Sequence, residues 1–68
     1  MEKLYLQATF TSVCGGITHV NPAWCAHDAE GRCWGREPTK QSLRAYISMT
    51  NRLVKSGQWA SRPWLVLK

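Results

Sequence analysis

Residues 39–57, TKQSLRAYISMTNRLVKSG, carry the longest run of a single helical period in the chain. Steps of about 100° per residue gather Leu43, Tyr46, Ile47, Thr50, Leu53 and Val54 on one narrow face. Arg44, Ser48, Asn51, Arg52 and Lys55 fall on the opposite side, which contains no acid. Thr39, following Pro38, predicts an N-cap, and Gly57, with Lys55 in the last turn, predicts the stop. The expected element is one amphipathic helix with a basic back. The rest of the chain must supply the surface on which its apolar stripe packs.

Upstream, residues 3–14 read KLYLQATFTSVC, in which Leu4, Leu6, Ala8 and Phe10 alternate with Tyr5, Gln7, Thr9 and Thr11. That period of two is the pattern of a half-buried strand. Gly15-Gly16 suits a two-residue hairpin turn, because both central positions need positive φ. Ile17-Thr18-His19-Val20 then returns antiparallel, and Asn21-Pro22 is expected to bend or break it, since proline donates no ladder bond. Asp28-Ala29-Glu30-Gly31 has the form of a type I turn closed by a left-handed glycine, hence a second hairpin. Pairing Asp28 with Arg32 places His27 opposite Cys33, Ala26 opposite Trp34, and Cys25 opposite Gly35. One face then shows Cys25, His27 and Cys33; the other shows Trp24, Ala26 and Trp34. After the helix, Arg62-Pro63 marks the start of a last short strand over Trp64 to Leu67.

The expected class is therefore α+β, in the order β-β-β-α-β, as a single domain over residues 1–68. A small antiparallel meander of three strands is packed by the helix. The C-terminal strand either completes the sheet edge or pairs with a second copy to make a homodimer. The order of three strands then a helix resembles, in architecture, small DNA-binding modules such as integrase arm-binding domains and AP2-type domains, without a shared residue motif.

A chain of 68 residues is near the lower limit for folding alone, since such a domain buries only about 60% of its unfolded surface. The four tryptophans supply much of the buryable area, and such side chains also anchor interfaces. The formal charge of +5 is uneven. Residues 1–37 hold Lys3, Arg32 and Arg36 against Glu2, Asp28, Glu30 and Glu37. Residues 38–68 hold Lys40, Arg44, Arg52, Lys55, Arg62 and Lys68 and no acid. A half with one sign of charge suits an anionic partner, either nucleic acid or an acidic protein or nucleoprotein surface. It serves equally well as a solvated face.

No export signal or run of about 20 apolar residues is present, which predicts no membrane association. Three cysteines make an odd number, which argues for reduced thiols in a cytoplasmic protein rather than a disulfide framework. The start at Met1 reads as a complete small gene product.

Cys14, His19, Cys25, His27 and Cys33 invite a zinc reading, with Cys25, His27 and Cys33 on one face and His19 or Cys14 as fourth ligand. No paired knuckle spacing supports it, so half-buried cysteines lining a sheet are the simpler account and no cofactor is expected. Cys33, His27 and Asp28 can be written as a nucleophilic trio, but Asp28 adjoins His27 and so points to the other face of a strand. Gly15-Gly16 opens no helix and is not a phosphate loop. A non-enzymatic protein is expected. Lys40, Arg44, Ser48, Asn51, Arg52, Lys55, Trp59 and Arg62 are the candidate binding residues, since these side chains contact phosphates, base edges and bases. The leading expectation is a small regulatory protein of phage or mobile-element type whose basic helix face docks on nucleic acid or a nucleoprotein complex. The alternatives are an anti-CRISPR-like protein-protein inhibitor of a host enzyme or defence complex, and a small zinc-stabilised domain.

Overall fold

A computed structural model describes residues 2–59 and 61–68. Its elements are β1 (Lys3–Cys14), β2 (Ile17–His27), β3 (Cys33–Glu37), α1 (Lys40–Lys55) and β4 (Trp64–Leu67). Gly15 and Gly16, at φ of +63° and +81°, close β1 onto β2 so that Cys14 pairs with Ile17. This is the two-residue hairpin turn the glycines call for. The sheet order is β3-β2-β1-β4, with β4 running parallel to β1 and the other neighbours antiparallel. The last strand thus completes the edge of its own sheet. No described helix is long and apolar enough to cross a membrane.

Two irregularities shape the sheet. Thr11 pairs with Ala23 and Val13 with Thr18, so His19, Val20, Asn21 and Pro22 stand against Ser12 alone. Pro22 therefore sits in a bulge, where it removes no ladder bond. The strand bends there, as its sequence predicts, but continues to His27. In the second hairpin His27 does face Cys33, but a shift beside it sets Gly35, not Trp34, opposite Ala26, and Arg36, not Gly35, opposite Cys25. Packing explains the slip. A Cβ on Gly35 would lie 2.9 Å from Tyr46 Cδ2, so only glycine fits beneath that ring. Trp34 becomes the extra residue, and its indole N–H donates to Asp28 Oδ2 at 2.9 Å.

Helix α1 lies across one face of the sheet. Thr39 caps it, its Oγ1 accepting from the Ser42 N–H at 3.0 Å. At the other end Gly57 takes φ +90°. Leu43 and Ile47 meet Leu6, Ala26 and Leu65 in the core, and Leu4, Ala8, Trp24, Trp34, Tyr46 and Leu67 pack around them. Leu6 and Leu43 are fully buried, worth about 2 kcal/mol each relative to exposure.

One polar residue belongs to this interface. Asn51 is 8% exposed. Its Nδ2 donates to the Leu65 carbonyl at 2.8 Å, and its Oδ1 accepts from the Leu65 N–H at 2.8 Å. The amide thus clamps β4 to the helix by both of the Leu65 backbone groups. Asn51→Ala leaves both groups unpaired in a buried place, which costs about 2–4 kcal/mol. Ser48→Ala, one turn earlier and exposed, should stay within about 0.5 kcal/mol of the parent. Urea unfolding of the two variants checks this, and equal midpoints would refute the clamp.

Candidate binding groove and cysteine cluster

A groove of about 400 Å³ runs between α1 and β4. Arg44, Ser48, Arg52 and Lys55 form its helix side, and Ile47, Trp64 and Leu67 give it an apolar floor and far wall. Helical spacing sets Arg44, Ser48, Arg52 and Lys55 at successive turns. From Arg44 to Lys55 the rise is about 16 Å, at 1.5 Å per residue. Both ion pairs found among the described residues are made by Arg32, with Asp28 and Glu30, so neither occupies a groove cation. The helix has no acid in its first turn and carries Arg52 and Lys55 in its last.

The expected binding residues separate into three places. Arg44, Ser48, Arg52 and Lys55 share the groove. Asn51 also borders it, but its side chain is committed to Leu65, so it belongs to the scaffold and not to the exposed basic back. Lys40 lies elsewhere, its Nζ 5.4 Å from the centre of the Trp24 ring, which is itself tilted against Phe10. Arg62 sits between two tryptophans, 5.5 Å from Trp34 and 4.9 Å from Trp59. Trp59 is half-buried by this stack. Trp64 and Leu67, absent from the expected set, enter because β4 turns out to be the strand beside the helix edge.

The Arg62 stack is anchored from below by Asp28, a 5% exposed carboxylate in the second hairpin. Its Oδ1 accepts from the backbone N–H groups of Glu30 and Arg32, each at 2.9 Å. Its Oδ2 accepts from the Trp34 indole and from Arg32 Nε. The Trp34 hydrogen bond first, then those from Arg32 and Glu30, hold its pKa at about 2 against an opposing effect of burial. These donors favour the ionised form.

The cysteines are arranged differently from the expectation of reduced thiols. Cys14 and Cys25 are joined by a disulfide, and Cys33 is free and exposed. Cys33 Sγ lies 3.4 Å from Cys25 Sγ, and all three sulfurs fall within 4.8 Å of one another. Neither His19 nor His27 belongs to this cluster. His27 instead lines a crevice with Cys14 and Cys25, and His19 lines another with Cys33, Arg32 and Arg36. Comparison with known protein families, curated proteins and solved structures finds no match.

The Asp28 contacts make stability depend on pH with a definite sign. A carboxylate whose folded pKa is depressed stabilises the fold fully above its unfolded value, near 4. That contribution is lost as pH falls through about 2. Thermal melts of Asp28→Asn should lie below those of the parent at pH 7, with the gap closing between about pH 4 and pH 2. A gap that stays constant over that range contradicts the assignment.

Proposed function

We propose that this chain is a non-enzymatic binding and regulatory protein that docks its helix groove on an anionic surface, nucleic acid or the nucleic acid of a nucleoprotein complex. The observation that supports this reading is the row Arg44, Arg52 and Lys55 along one groove, with none of the three in an ion pair among the described residues. Cations spread over about 16 Å match roughly five successive phosphates of one strand at 3.4 Å of axial rise each. Ser48 between them adds a hydroxyl of the kind that contacts phosphate oxygens.

The apolar floor of Ile47, Trp64 and Leu67 favours a second reading. An acidic protein surface bearing an apolar anchor would use both the floor and the charged rim, as interface cores and rims do. In that case the chain is an inhibitor of a host enzyme or defence complex.

Fluorescence anisotropy with labelled duplex and single-stranded oligonucleotides distinguishes them. Nucleic-acid docking predicts binding that weakens with salt, with a log–log slope of about −2 to −3 for three phosphate contacts. Arg44→Gln, Arg52→Gln and Lys55→Gln together should remove most of that slope. Absence of binding in about 20 mM salt, roughly the low-screening regime, sinks the first reading. A nuclease-resistant protein partner retained from bacterial lysate, and lost with the same triple variant, supports the second.

A further inference from the structure

The three cysteines come from three different strands and meet at one corner of the sheet, on the face away from α1. Alternation along β2 sends Trp24 and Ala26 into the helix-covered core, so Cys25 between them points to the other side. Cys14 reaches it from the end of β1, with a Cα–Cα distance of 6.2 Å. Cys33 arrives at the start of β3, and the turn makes room for it. A Cβ on Gly15 would lie 3.2 Å from Cys33 Cβ, tighter than ordinary packing.

This arrangement exceeds what a disulfide needs. A crosslink uses two sulfurs, yet a third stands 3.4 Å from Cys25 Sγ. Around a tetrahedral ion with metal–sulfur bonds of about 2.3 Å, thiolate sulfurs are about 3.8 Å apart. The 4.8 Å span of the cluster brackets that separation. The charge environment fits as well. Arg36 stands directly opposite Cys25, and its Nε is buried without a hydrogen-bond partner among the described residues. Arg32 and Arg36 line the crevice beside Cys33. Three thiolates around a divalent cation leave a net charge of −1, which the Arg36 guanidinium offsets, Arg32 being paired with Asp28 and Glu30.

We propose that Cys14, Cys25 and Cys33, when reduced, form a three-thiolate site for a thiophilic closed-shell cation, Zn²⁺ being the representative. Disulfide and metal are then alternative occupants of one corner. Opening the Cys14–Cys25 bond takes two electrons and yields two thiols. A dithiol gives the electrons and both protons and becomes a disulfide, whereas a phosphine gives the electrons and becomes its oxide, water supplying the oxygen and both protons. Metal binding displaces the protons of all three thiols to solvent, so affinity rises with pH. The fourth position is open to water. This proposal is independent of the groove, since α1 lies on the opposite face of the sheet.

Protein reduced with a phosphine under nitrogen is titrated with Co²⁺, then with Zn²⁺ against a chromophoric chelator. The expected result is one Co²⁺ per chain with sulfur-to-cobalt charge-transfer bands, displaced by one equivalent of Zn²⁺. Untreated protein holding the Cys14–Cys25 bond should take up neither. Cys33→Ser changes an exposed side chain and should keep the circular dichroism of the parent while weakening Zn²⁺ more than about tenfold. Where reduction alone loosens the sheet, one equivalent of Zn²⁺ should restore the spectrum. Absence of charge-transfer bands in the reduced parent overturns the proposal, and so does unchanged Zn²⁺ affinity in Cys33→Ser.

Discussion

The parallel pairing of β1 with β4 is the constraint on which the rest of the molecule depends. β3 and β4 are the two outer strands and run in the same direction. A hairpin cannot join parallel strands, so the chain must cross the sheet and return to its starting end. The outer strands are separated by three spacings of about 4.8 Å, and a 16-residue helix of about 24 Å makes the crossing. Because the described residues hold one helix, one face of the sheet is covered. The groove follows from this, since it is the seam where the helix edge meets the strand that the crossing delivers. The bare face follows too, and there the cysteines collect.

Closing the sheet on β4 carries a difficulty that Asn51 resolves. A four-residue edge strand has few ladder bonds of its own. The Asn51 amide supplies two more, to the same Leu65 backbone. From sequence, Asn51 reads as part of the basic back because it is polar and lies among Arg52, Ser48 and Lys55. Its position says otherwise, since it follows Ile47 by four residues and precedes Val54 by three, and both are buried. Helical spacing placed it at the flank of the stripe. What could not be read was a backbone partner on a strand whose neighbours were unknown. The same ignorance hid Trp64 and Leu67, which enter the groove only once β4 is set beside the helix.

The helix limits, its cap, the glycine turn and the order of elements were legible because each depends on residues close together in sequence. Pairing register was legible only until packing intervened. The slip that brings Gly35 rather than Trp34 opposite Ala26 is decided by the Tyr46 ring, from another element. The convergence of the cysteines was hidden for a related reason. Spacing along the chain predicted Cys25, His27 and Cys33 on one face, which alternation supports. It could not show that four residues bulge at His19 to Pro22 while Cys14 is brought onto Cys25.

Size explains why a corner of sulfur matters to so small a chain. At about 0.05–0.15 kcal/mol per residue, a domain of this length holds roughly 3–10 kcal/mol of net stability. Among the described residues the largest fully buried side chains are Leu6, Leu43 and Cys25, so a cysteine stands beside two leucines there. A crosslink closing the Cys14–Cys25 loop, with a separation of 11 residues, restricts the unfolded chain by about 3 kcal/mol. The crosslink ties the long hairpin on the face that the helix leaves bare, where apolar burial contributes least. A cation held by the same sulfurs would tie it at the same point and add β3 through Cys33. The sulfur corner and the groove thus lie on opposite faces of the sheet. The helix face is left free to carry charge because its cations are not needed to hold the fold together.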